Sequence, residues 1–316
     1  MRKNLVDETV TILEEGGFVV SDRCNIRPKS FDVAARRGSE ILLIKVLSNI
    51  DSFNHETAAE MKALAKHLDA SCLVVGAKTR NHRMEQGVLY LRSGVPAINP
   101  ETAYDYFVED VPPLVYMAQG GLYANLDGDV LADLREEDSR SLGRIANELG
   151  VSRRSVSKYE DGMDATLDVA LELEEMFEHS LISPIEILSH GDDEDIESRE
   201  DVELHSEEKR VFDNLSSAGY LIHTTARAPF RAFTDSETGG DVGGMLTGTI
   251  HHSGDIDKRA RLMSSISDVA ETRSIYVVES SASRDSIEDT VIVEIEELED
   301  VEESEELDEL HKEKGG

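Results

Sequence analysis

Five basic side chains, Arg140, Arg144, Arg153, Arg154 and Lys158, fall within a twenty-residue stretch whose one acid is Glu148. Guanidinium and ammonium groups at that density pair with phosphate oxygens, and arginine can also read base edges. The spacing around them is that of two helices meeting at a sharp turn. In LGRIANELGVSRRSVSKYED (Leu142–Asp161), Ala146 is small where the helices touch, Gly150 sits at the turn and Val156 is a branched core residue. Ser152 can cap the second helix and Val151 can clip it down, so that helix starts at Arg153. Val156 and Tyr159 share the inward face. The predicted DNA-contacting set is therefore Arg140, Arg144, Ser152, Arg153, Arg154, Ser155, Ser157 and Lys158. A preceding helix, GDVLADLREED, would turn Val130, Leu131 and Leu134 inward, and a following one, TLDVALELEEMF, would turn Leu167, Ala170, Leu171 and Leu173 inward.

A second pair with chemical potential is Asp32 and Lys45, on two strands joined by a turn in FDVAARRGSEILLIKV. A carboxylate and an ammonium there can pair with each other, or touch phosphate without a metal. They lie in an alternating region: a helix near Asn4–Glu15, strands at Phe18–Val20, Ser30–Arg36 and Ile41–Val46, and a helix at Glu56–Leu68. Strands at Cys72–Val75, Val88–Leu91 and Val95–Ile98 and a last helix complete an α/β domain over 1–115.

LREEDSRSLGRIANELGVSRRSVSKYEDG with TLDVALELEE resembles the lambda-repressor/Cro-like (Xre-type) helix-turn-helix domain, over about residues 126–180. Leu142 and Asp161 stand where that family commonly has amides, and neither enters the contact set. The Asp32–Lys45 segment is similar to the core of restriction-endonuclease-like nucleases. In those, an aspartate and a downstream acid-x-lysine hold Mg²⁺ and assist the attacking water. Here position 43, two before Lys45, is leucine, so an inactive nuclease-like domain with a vestigial Asp32–Lys45 site is expected. FDVAAR…LLIKVLSNID together with LREE…GVSRRSVSKYE also resembles a group of archaeal transcriptional regulators. That likeness implies sequence-specific DNA binding.

The carboxyl-terminal region repeats the first domain's apolar anchors. Gly17-Phe18-Val19-Val20 recurs as Gly219-Tyr220-Leu221-Ile222 and Leu73-Val74-Val75 as Ile275-Tyr276-Val277, at one offset of 202. The same offset takes Asp32 to Thr234 and Lys45 to Thr247. The expected organisation is thus α/β plus all-α, a central helix-turn-helix bundle (126–189) flanked by two α/β domains. The second, 206–299, reads as a degenerate duplicate. VPPLVYMAQGG (Val111–Gly121) should end the first domain, GDDEDIESREDVE should form an acidic linker (190–205), and 300–316 an acidic solvated tail.

Composition bounds the remainder. Against 66 acidic residues stand 32 basic ones, a net −34, so bulk repulsion from DNA must be overcome locally. Such an excess suits a salt-rich, halophilic cytoplasm. No apolar run approaches the roughly 20 residues of a membrane span, so no membrane partner is expected. Cys24 and Cys72 read as buried thiols. His251-His252 reads as a solvated pair, and the glycines of Thr238–Gly248 as a hairpin or flexible connection. No cofactor, metal or effector site is assigned, and the chain is expected not to be an enzyme. One helix-turn-helix reads a short half-site, so a homodimer with units about 34 Å apart on double-stranded DNA is expected, its interface in the α/β domains. Two other readings stay open: a metal-dependent nuclease targeted by its helix-turn-helix, and an antitoxin-like protein-binding adaptor.

Overall fold

The computed structural model describes residues 2–188, 204–236, 244–249, 256–279, 284–301 and 303–315. The first α/β unit runs α1 (Arg2–Glu15), β1 (Val19–Val20), β2 (Val33–Arg37), β3 (Glu40–Leu47), α2 (His55–His67) and β4 (Ala70–Gly76). It continues through β5 (Val88–Arg92), β6 (Val95–Ile98) and α3 (Pro100–Phe107). The run ILLIKV becomes β3 because both faces are covered: Leu43 and Leu47 point toward α2, Leu42, Ile44 and Val46 toward α1 and α3. Asn54 and Asn99 cap α2 and α3 by accepting from Thr57 N and Thr102 N.

The sheet does not stop at Val111–Gly121. Val115–Ala118 forms β7, parallel to β5, and turns into β8 (Gly121–Leu126). The paired prolines precede a hairpin and the paired glycines lie at its turn, so the segment does not end a domain. After β8 come α4 (Gly128–Glu137), α5 (Leu142–Glu148), α6 (Arg153–Glu160), β9 (Ala165–Thr166), α7 (Leu167–Phe177) and β10 (Ile182–Ser183). Both β9 and β10 pair with β8, closing a ten-stranded sheet.

The second unit comprises α8 (Ser206–Ser217), β11 (Tyr220–Thr224), β12 (Ala232–Ser236), β13 (Met245–Thr249) and α9 (Ile256–Ala270). β14 (Arg273–Val278), β15 (Ser286–Ile287), β16 (Thr290–Glu294), α10 (Ile295–Glu299) and α11 (Ser304–Gly315) follow. Its order β11-β12-β13-β14-β16-β15 matches β1-β2-β3-β4-β6-β5, and every pairing has the same sense. The register corrects the single offset of 202. Asp32 N donates to Ile44 O, and Arg231 N donates to Thr247 O. The topological counterpart of Asp32 is therefore Arg231, and that of Lys45 is Gly248. The β2–β3 connection is two residues and the β12–β13 connection eight, so no constant offset spans both.

The expected acidic tail is also revised. Leu307 is buried and Lys314 Nζ donates to Ile292 O, so α11 packs on β16. Of the two cysteines, Cys24 is buried, with burial pushing its thiol up, while Cys72 is only half-buried. His251-His252, Gly191–Glu203 and residues 238–243 lie outside the described residues.

The two units share one core. Phe31, Met61 and Leu64 of the first and Phe230, Met263 and Ile266 of the second belong to a single apolar cluster. The contact is reciprocal: α2 reaches the β11–β12 loop, and α9 reaches β2 and the turn before it. Glu60 Oε1 accepts from Ala226 N and Arg227 N at 2.7 and 2.5 Å, while Ser265 Oγ accepts from Asp22 N at 2.7 Å. The rings of His67 and His223 stack with centroids 3.7 Å apart. Glu60→Ala should lower unfolding stability by about 1–3 kcal/mol, because two amides lose a charged acceptor. Hydrogen exchange should accelerate first at Ala226 and Arg227; unchanged exchange there would show the clasp to be idle.

Candidate nucleic-acid interface

The helices α4 to α7 enclose a small core of their own. Leu131, Ile145, Ala146, Val156, Tyr159, Ala170 and Leu173 are buried, together with Ala124 and Leu126 of β8. Leu171, expected inward, is half-exposed, because α7 turns only the Ala170–Leu173 face to the core. Gly150 has φ +67°, a left-handed conformation that suits glycine at the turn between α5 and α6. Ser152 Oγ accepts from Ser155 N at 3.0 Å, so α6 starts at Arg153. Ser141 likewise caps α5 through Arg144 N.

Two contacts fix α6 against α4. A Cβ added to Gly128 would sit 2.4 Å from Glu160 O, so the start of α4 rests directly on the end of α6. Arg135 grips Glu160 with two bonds, Nε to Oε1 at 2.5 Å and Nη2 to Oε2 at 3.3 Å. The Glu160 carboxylate holds the Arg135 guanidinium above its ordinary range against the opposing effect of burial.

On the outer face Arg153, Arg154 and Lys158 are exposed, and Ser155 and Ser157 are half-buried. The Arg153 guanidinium lies over Gly143, where a Cβ would come within 2.7 Å of its Nε. Among the described residues none forms a salt bridge with Arg153, Arg154 or Lys158. Arg140 and Arg144 differ: both donate to Glu148, at 3.2 and 3.0 Å, and Arg140 also pairs with Asp138 and lies over the Phe177 ring. The cationic face is thus narrower than the sequence suggests. The spacing of Arg144 and Glu148, four apart on one helix, was the available signal for that pairing; the Arg135–Glu160 bond had none.

The Asp32–Lys45 pair sits elsewhere, beneath the second unit. Asp32 Oδ2 accepts from Val46 N at 2.9 Å and Oδ1 pairs with Lys29 Nζ at 2.5 Å, while Lys45 Nζ donates to Lys29 O at 2.6 Å. Lys29, three residues from Asp32, is a partner that sequence reasoning missed. Ser30 N donates to Arg227 O, which brings the β11–β12 loop over the site. Leu43 is buried on the same face as Lys45, and among the described residues no group of three His, Cys, Asp or Glu side chains could hold a metal. The pair offers one carboxylate, which Lys29 and the Val46 amide already hold.

Comparison with known proteins places the chain. Several relatives bear the name "Putative HTH-type transcriptional regulatory protein". That of Natronomonas pharaonis is 49% identical over 93% of each chain, and that of Halobacterium salinarum 49% over 93% of this chain and 92% of its own. That of Methanococcoides burtonii is 46% identical over 92% and 90%. The chain belongs to this archaeal family. Residues 2–113 match the PD-(D/E)XK superfamily domain. This match overturns the expectation of a chain that is not an enzyme: the superfamily is a nuclease fold and points toward an enzymatic role for the segment, although the relatives are named as regulators. No solved structure matches the chain. Among the described residues no helix is long and apolar enough to cross a membrane.

Gly128→Ala should cost about 1–3 kcal/mol in chemical denaturation, since the added methyl meets backbone that cannot yield. Leu171→Ala, at a half-exposed position, should change stability by less than about 0.5 kcal/mol. Equal losses would mean that the close approach of α4 and α6 does not control the bundle.

Proposed function

We propose that the protein is a sequence-specific DNA-binding transcriptional regulator whose Xre-type bundle, residues 126–189, enters the major groove with α6. The observation that carries this reading is the set of exposed cations on α6, Arg153, Arg154 and Lys158, in a chain of net charge −34. The regulator names of the relatives support it. In this reading Arg154 and Ser157 reach base edges, Arg153, Lys158, Ser152 and Ser155 grip backbone, and Arg140 and Arg144 contribute less because Glu148 shares their charge. The two α/β units are of common origin, as their matching strand order supports. Because these units bury the same face against each other within one chain, a homodimer on DNA uses a different surface.

DNA fragments selected from the source genome at that cell's own salt supply the specific duplex for the test. Arg154→Ala should reduce discrimination between specific and random duplex by about 1–3 kcal/mol. Equal weakening on both would remove base reading by that residue, and no retention of any duplex by the wild type would remove the function. A stable protein complex that masks α6, with no DNA retention, would instead favour the adaptor reading.

The superfamily match favours one second reading, cleavage targeted by the bundle. Supercoiled DNA incubated with Mg²⁺ or Mn²⁺ separates the two. Cutting that Asp32→Asn abolishes would assign nuclease chemistry to the first unit.

A further inference from the structure

The connection between β4 and β5 reverses the local charge of the chain a second time. From Ala77 to Gly87 it reads AKTRNHRMEQG, with Lys78, Arg80 and Arg83 against one acid, Glu85. All three side chains are exposed, and among the described residues none of them forms a salt bridge. The loop is well braced. Thr79 N donates to His82 O at 2.9 Å, His82 N to Thr79 Oγ1 at 3.2 Å, and Arg80 N to Asp51 Oδ2 at 2.5 Å. Lys78 and Arg83 face each other across a β-bridge, and Met84 closes the loop by burying its side chain in the shared core.

Its place in the sheet gives this patch a purpose. Met84 packs on the face occupied by Val88 and Tyr90 of β5, Met117 of β7 and Leu122 of β8. Ala124 and Leu126 follow Leu122 at alternate positions, so they share that face, and they enter the core of the helix bundle. Asp51, which accepts from Arg80 N, also pairs with Arg92 at the end of β5. From β5 the pairing runs to β7 and then to β8, two strand spacings or about 10 Å. The basic loop and the bundle thus stand side by side on one face of one sheet.

We propose that Lys78, Arg80 and Arg83 form a second nucleic-acid contact, which grips the phosphates of the duplex flanking the stretch read by α6. The inference rests on the DNA-reading role of α6. Exposed cations that form no salt bridge, with only Arg80 in the field of a carboxylate, that of Asp51, and held on a braced loop in a strongly acidic chain, serve a polyanion, and contacts of this kind position a duplex without reading its sequence.

The test uses the full chain and the triple variant Lys78→Ala/Arg80→Ala/Arg83→Ala in fluorescence anisotropy, with labelled random-sequence duplexes of about three helical turns and about one. The variant should bind the long duplex weaker by on the order of tenfold, and its slope of log affinity against log salt should fall by about one per cation removed. Binding to the short duplex should change little. If the triple variant fails to fold, Lys78→Gln and Arg83→Gln singly should each lower the slope by about one. Wild-type binding with an unaltered slope in the variants overturns the second contact while leaving α6 intact, as does a loss that depends on base sequence. A wild type that binds no duplex at any salt overturns the role of α6 and this inference together.

Discussion

The seam between the two sheets removes from water a face that each unit would otherwise expose. Phe31, Met61, Phe230 and Met263 are fully buried there, and burying side chains of this size contributes about 1.5–3 kcal/mol each. The polar bonds across the same seam, from Ser30, Glu60, Asp22 and Arg36, contribute about 0.5–1.5 kcal/mol apiece when neutral and more when charged. The apolar term therefore holds the units together, and the directional bonds choose the angle at which they meet. Because α2 and α9 play reciprocal roles, the arrangement has the logic of an isologous dimer folded into one chain.

With that face committed, the proposed nucleic-acid contacts fall to what remains outside. Bulk charge opposes DNA, but at molar salt the screening length is about 3 Å, so distant carboxylates matter little and neighbouring side chains decide. The decisive question at each cation is whether a carboxylate already holds it. Glu148 holds Arg140 and Arg144 and Glu160 holds Arg135, whereas no described carboxylate forms a salt bridge with Arg153, Arg154 or Lys158. Counting charges along the sequence cannot make that distinction, because pairing is a matter of geometry.

The strands of the first unit were legible because runs such as ILLIKV and CLVV have few alternatives to a covered sheet. Gly150, Ser152 and Val156 specified the turn and the helix after it, for backbone and capping reasons that act within a few residues. Long-range relations were not legible. VPPLVYMAQGG carries turn residues and still supplies β7, since its pairing with β5 is settled by tertiary contact. The acidic stretch after Asp300 reads as solvated, yet Leu307 and the Lys314 ammonium fasten it to β16. The repeat was visible in apolar anchors, but its register was not, because loops of unequal length shift β12 and β13 by different amounts. The strand registers and the backbone bonds of Asp32 and Arg231 show which residues correspond.

The mounting of the bundle limits how α6 could meet the duplex in the proposed function. A helical bundle on a flexible tether could rotate freely, whereas this one is inserted into the sheet and fastened at both ends. Asp127 N donates to Leu181 O, Glu174 Oε1 accepts from Leu181 N and Ile182 N, and Tyr116 donates to Asp164 at 2.7 Å. β9 and β10 add backbone pairing to the same strand, β8. The direction in which α6 presents its cations is therefore set by the sheet of the first unit. A ligand or modification that turned α6 relative to the first unit would have to act on these bonds or on the pairing with β8.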